Sequence, residues 1–131
     1  MAENHFEFDV KTASTDSLSF VGDAVYSLMV RQRLIAEGQC RSNALHSLSA
    51  KYVNAAAQAA AFSAVENMLS ENETAVYKRG RNAHNNHKPK RADCGDYHVA
   101  TGLEALFGYI YMSGDYERLT TLFEVIWQNK E

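Results

Sequence analysis

Proline occurs once and glycine seven times in 131 residues. So few turn formers argue against a fold of many short strands. No apolar run approaches the ~18 residues that a membrane span requires, and the N-terminus lacks the basic-then-apolar order of an export signal. The chain therefore reads as soluble and cytoplasmic, with no membrane partner. Cys40 and Cys94 are the two cysteines, and without an export signal they read as reduced thiols rather than a bridge. The length is that of one domain of roughly 100 to 200 residues, which excludes a two-domain enzyme. A hydrophobic content of 46% excludes a disordered tail and allows a real core.

Acidic residues are missing from one place in particular. Between positions 78 and 91 there is no Asp or Glu, while six of the thirteen basic side chains fall there: Lys78, Arg79, Arg81, Lys88, Lys90 and Arg91. The net charge of −3 hides this segregation. Asn82, His84, Asn85, Asn86 and His87 interleave with the cations and add hydrogen-bonding groups. A charge run is often only a solvated face, but one so free of acids suits a polyanion.

Apolar spacing predicts an all-α domain of about five main helices. Leu18, Val21, Val25, Leu28 and Met29 recur at helical intervals after Ser14 and Thr15, which suit an N-cap, and Gly38 stops the run, giving a helix over 16–36. Leu45, Leu48, Tyr52, Ala56, Ala59 and Phe62 mark a second helix over 44–68, capped by Ser42 or Asn43, rich in alanine and open to a bend. A short helix over 71–83 begins with the acidic turn after Ser70. Residues 85–96 read as an exposed loop. A helix from Tyr97 to Met112 and a last one capped by Asp115 complete the set, with Leu119, Leu122, Phe123, Ile126 and Trp127 as its core stripe. Residues 1–13 form an arm in which Phe6, Phe8 and Val10 alternate with polar neighbours as an extended segment would.

Two helices carry residues that cost stability. Gly22 and Asp23 interrupt an apolar helix, and Glu104 sits among Leu103 and Leu106 with Gly102 and Gly108 nearby. Glycine loses about 1 kcal/mol against alanine in a helix interior, and an acid among apolar neighbours risks desolvation. Acids on two helices, each beside a glycine that permits close approach, suggest carboxylates converging on a divalent cation. Acids solvated at the edge of an apolar stripe would give the same pattern.

Leu18 to Tyr26 (LSFVGDAVY) resembles the signature helix of the ribonuclease III family, and Leu103 to Tyr111 (LEALFGYIY) resembles its second acidic motif. The length and Lys78-Arg79-Gly80-Arg81-Asn82-Ala83 match the short branch, Mini-ribonuclease III, which has no double-stranded-RNA-binding domain. The resemblance covers the chain from about residue 14. It implies a single catalytic domain over 1–131, working as a homodimer whose valley holds an RNA duplex, one site per strand. It implies that Asp23 and Glu104 are catalytic and hold Mg²⁺, with Mn²⁺ as a substitute, and that cleavage leaves 5′-phosphate and 3′-hydroxyl ends. The expected substrate is the precursor of large-subunit (23S) ribosomal RNA. The basic segment, with its loop at 84–96, is implied to contact duplex RNA through Lys78, Arg79, Arg81, Asn82, His84, Lys88, Lys90 and Arg91. Longer members of the family have acids where this chain has Ser19 and Thr101, which bears on the number of metal ions. Asp16 aligns with the family's outer glutamate and is either a third ligand or a helix-start residue. The signature helix lies near the family's twofold axis, so Phe20 and Val21 are expected at the dimer interface.

A competing constellation is His84, His87, Cys94 and His98, whose spacing suits zinc on paper. It would make the protein a zinc-stabilised nucleic-acid-binding module without catalysis. His98 falls in a predicted helix, which weighs against the site.

Overall fold

The computed structural model describes residues 7–39, 41–83 and 94–130. Among them are six α-helices: α1 (Thr15–Ala36), α2 (Ser42–Val53), α3 (Ala55–Val65), α4 (Glu71–Arg81), α5 (Cys94–Met112) and α6 (Tyr116–Gln128). No described residue lies in a strand, as the apolar spacing requires. Side-chain caps set several of the helix starts. The Ser14 hydroxyl accepts from the Ser17 N–H at 3.1 Å, and the Asp115 carboxylate accepts from the Arg118 N–H at 3.2 Å. Ser70 and Glu73 form a reciprocal capping box at 3.2 and 2.9 Å.

The segment expected as one helix over 44–68 is two helices and a 3-10 turn (Glu66–Met68), which raises the count from five to six. Asn54 makes the division. Its backbone is extended, its side-chain oxygen accepts from the Ala57 N–H at 2.8 Å, and its amide nitrogen donates to the Ala50 and Lys51 carbonyls at 3.2 and 3.4 Å. One side chain thus caps both helices, which a propensity sum dominated by neighbouring alanines does not register. The start of α2 also differs, since Arg41 rather than Ser42 or Asn43 occupies the cap position. Helix α4 stops at Arg81, and α5 begins at Cys94, so positions 94–96 are helical rather than loop. The arm turns at residues 10–12 instead of running extended, and Val10 and Ala13 pack onto Leu18, Val76 and Ala105.

Helix α5 is the centre of the packing. Leu103, Ala105, Leu106 and Phe107 are wholly inaccessible, with α1, α3, α4 and α6 around them. The Tyr26 ring meets Phe107 and Phe123 edge-on, with centroids 5.1 and 5.9 Å apart, and Phe62 stacks on Tyr77 at 3.7 Å. Phe123, Ile126 and Trp127 lie in the core, as their spacing implies. The Arg118 guanidinium on α6 joins both Glu73 carboxylate oxygens at 2.9 Å and donates to the Met68 carbonyl at 2.6 Å, tying α6 to the start of α4.

Candidate active site

Helices α1 and α5 touch backbone to backbone. A β-carbon on Gly22 would lie 1.6 Å from the Glu104 carbonyl oxygen, and one on Gly108 would lie 1.9 Å from the Leu18 carbonyl oxygen. Only glycine at both positions permits the crossing. The consequence is chemical, because Asp23 follows Gly22 directly and Glu104 is the very residue whose carbonyl Gly22 meets. Two carboxyl groups from segments 81 residues apart in sequence therefore stand side by side.

Their surroundings differ. Asp23 is exposed and Glu104 is half-buried. Burial first, and the Asp23 negative charge second, push the Glu104 carboxyl up to about 7, while the Gln58 amide works against that rise. The Gln58 Nε2 donates to Glu104 Oε2 at 3.4 Å and to the Val53 carbonyl at 3.0 Å. Its other amide atom, Oε1, is fully buried without a hydrogen-bond partner. Among the described residues neither acid pairs with a basic side chain. Two hard-oxygen ligands pressed together without a counter-charge among the described residues fit a divalent cation, which relieves their repulsion and prefers carboxylate and water oxygen.

Ser19 and Thr101, where the resemblance implies acids in longer relatives, are also adjacent. The Ser19 hydroxyl donates to the Thr101 carbonyl at 3.4 Å, and the Thr101 hydroxyl donates back along α5 to Tyr97 at 3.0 Å. Both are neutral. Asp16 is exposed in the first turn of α1. Among the described residues no group of three or more His, Cys, Asp or Glu forms a metal-binding cluster.

The basic end of α4 reaches the same stretch of α5. A β-carbon on Gly80 would meet the Ala105 side chain at 2.7 Å and the Gly102 Cα at 3.0 Å, so this helix also crosses α5 at close range. Lys78 and Arg79 are exposed beside the crossing, and Arg79 donates to the Ala13 carbonyl at 3.3 Å. Arg81 lies over the Tyr77 ring at 5.7 Å and donates to the exposed Asn82 at 3.2 Å. His84, Lys88, Lys90 and Arg91 lie outside the described residues. So do His87 and the Cys94 side chain, leaving His98 as the described member of the zinc constellation; its ring meets Tyr97 edge-on. Phe20 is 82% exposed on α1, and its neighbour Val21 is half-buried. Gln58 has no place in the sequence reading. The available signal was an amide in the centre of an alanine run, Ala55 to Ala61.

The Ribonuclease III domain matches residues 16–115. The chain belongs to the ribonuclease III family. Curated relatives named Mini-ribonuclease 3 include one from Streptococcus pneumoniae, 43% identical over 87% of this chain and 91% of that one. Another, from Kosmotoga olearia, is 42% identical over 95% of this chain and 86% of that one. A third, from Thermoanaerobacter, is 44% identical over 82% and 76%. A crystal structure of a Fusobacterium nucleatum protein shares the fold with a TM-score of 0.82 and 25% identity, over 93% of this chain and 98% of that one. As a member of the ribonuclease III family the protein is an endoribonuclease, and nothing in these likenesses favours the zinc-stabilised module. No described helix is long and apolar enough to cross a membrane.

Proposed function

We propose that this endoribonuclease cleaves double-stranded RNA, with Asp23 and Glu104 as its catalytic pair and Mg²⁺ as the divalent cation they hold, Mn²⁺ substituting. The observation that carries the reading is the glycine-enforced approach of the two acids across the α1–α5 crossing. When bound there, a divalent cation supplies Lewis-acid chemistry, making water a better nucleophile and offsetting charge on phosphate oxygen. Asp23 and Glu104 contribute the negative oxygens and their fixed separation, and the half-buried setting of Glu104 keeps bulk water from weakening its field. A water oxygen bonds to phosphorus and gives up a proton to solvent as the bond to the 3′ oxygen breaks, and the departing oxygen takes up a proton from solvent. The ends left are 5′-phosphate and 3′-hydroxyl.

Lys78, Arg79, Arg81 and Asn82, followed by the segment with His84, Lys88, Lys90 and Arg91, hold the duplex by its phosphates, because A-form RNA is recognised by shape and backbone. The close crossing of α4 on α5 supports this assignment, since it sets the basic helix end within about a turn of Glu104. Asp16 belongs to the start of α1 rather than to the metal site. The working form is a homodimer joined through Phe20 and the neighbouring Val21, and the substrate is the 23S ribosomal RNA precursor in the cytoplasm. Asp23→Asn or Glu104→Gln keeps side-chain shape and removes a charged ligand. Either change should lower cleavage of a duplex by orders of magnitude while binding in EDTA persists. Cleavage at the wild-type rate by Asp23→Asn removes it from the catalytic pair.

A further inference from the structure

Gln58 is 1% exposed in the middle of α3, an unusual place for an amide. Its position depends on the helix division. Because α2 ends at Val53, the Val53 carbonyl has no helical donor in α2, and it takes a hydrogen from Gln58 Nε2. That contact fixes which way the amide faces, since Oε1 turned toward the carbonyl would set two acceptors against each other. The second Nε2 hydrogen is thereby aimed at Glu104 Oε2. Asn54 capping, the Val53 carbonyl and the Gln58 amide form one chain of contacts from the α2–α3 junction to the acidic pair.

We propose that Gln58 is a positioning residue that holds the Glu104 carboxylate in its cation-ligating orientation, so that the α2–α3 division sets the affinity of the site for a divalent metal. The inference rests on Glu104 being a metal ligand. Gln58 touches neither RNA nor the reacting atoms in this role. A carboxylate on α5 without the amide is free to rotate away from Asp23. Partners of this kind typically contribute roughly 10- to 100-fold in metal affinity.

The test uses Mn²⁺ binding to the whole protein, followed by electron paramagnetic resonance, beside the Mg²⁺ dependence of duplex cleavage. Gln58→Leu replaces the donor with an apolar side chain suited to burial, and Gln58→Met, unbranched and of matching length, is the paired variant should leucine distort the helix. We expect Mn²⁺ affinity to fall roughly 10- to 100-fold. The Mg²⁺ concentration for half-maximal cleavage should rise by the same factor, with excess Mg²⁺ restoring much of the rate and duplex binding in EDTA unchanged. A packing role alone would lower stability without moving the metal midpoint. Glu104→Gln is the reference. If it abolishes the Mn²⁺ site and a folded Gln58 variant leaves the site intact, the positioning role is wrong. If Glu104→Gln itself leaves Mn²⁺ affinity unchanged, the ligand assignment fails and the positioning role falls with it.

Discussion

The backbone oxygen of Glu104 occupies the space a β-carbon on Gly22 would need, 1.6 Å away. The residue beside that glycine is Asp23, so one contact determines both how closely α1 and α5 approach and how close the two acids stand.

Gly22→Ala should therefore cost stability and activity together. The atom in the way is backbone, which cannot swing aside, so we expect a loss of about 3 kcal/mol or more, beyond the usual overpacking penalty. Chemical denaturation checks it. Gly38→Ala is the control: its φ is +90° and an added β-carbon would meet nothing within 4 Å, so strain of about 1 kcal/mol is expected with cleavage retained. Equal losses in the two variants would separate the crossing from catalysis.

Neutralising Lys88, Lys90 and Arg91 together should weaken duplex binding and flatten its salt dependence. Each phosphate contact removed lowers the slope of log K against log salt by about 0.9 for a B-form duplex and by a similar order for RNA. The triple variant is expected to lose roughly two to three units of slope. A slope equal to that of the wild type would place the duplex elsewhere.

The ion pair between Glu73 and Arg118 should make part of the stability acid-labile. The Arg118 guanidinium, hydrogen-bonded to both oxygens, is the main reason the Glu73 carboxyl sits below its ordinary value; the Ser70 contacts add to this and burial opposes it. A lowered folded pKa means the contribution is complete above the unfolded carboxylate range and disappears as pH falls through the folded value. Glu73→Gln should thus be less stable than wild type by about 2 kcal/mol at pH 7, and the two should converge as pH falls through the lowered Glu73 value. Urea unfolding at pH 7 and pH 3 measures this, and a gap of the same size at both would rule out the ion pair as its source.

Phe20 projects 82% of its surface from α1, whereas Val21 is half-buried against the core. A charge at Phe20 therefore tests assembly without disturbing the fold. Wild type should sediment as a dimer, and Phe20→Glu as a folded monomer that has lost paired cleavage of both strands. Val21→Glu, by contrast, should also impair folding, giving a monomer or an insoluble chain. A monomeric wild type that cuts both strands in one binding event would overturn the assembly.

Much of this was legible beforehand because it depends on local chemistry. Leu18 to Met29 and Leu119 to Trp127 announce their buried faces by spacing alone, and Ser14, Ser70 and Asp115 are capping residues placed just before apolar runs. Asp23 and Glu104 stood out because each is an acid in an apolar helix beside a glycine, a local cost that invites a reason. The cap at Asn54 was hidden, because the alanines around it favour helix on both sides and an asparagine within a helix differs from one between two helices only through the bonds its side chain makes.

The sequence by itself determined an all-helical domain, its two acidic helices and its basic segment, since periodicity, caps and charge act over a few residues. Tertiary structure decided what meets. That Gly22 faces Glu104 rather than open space and that Gly80 crosses the same stretch of α5 are relations between distant segments. So is the hydrogen bond from Gln58 to Glu104, which joins residues 46 positions apart. Such contacts are set by the angles at which helices pack, and those angles follow from how a whole core fills its space, which no window of the sequence contains.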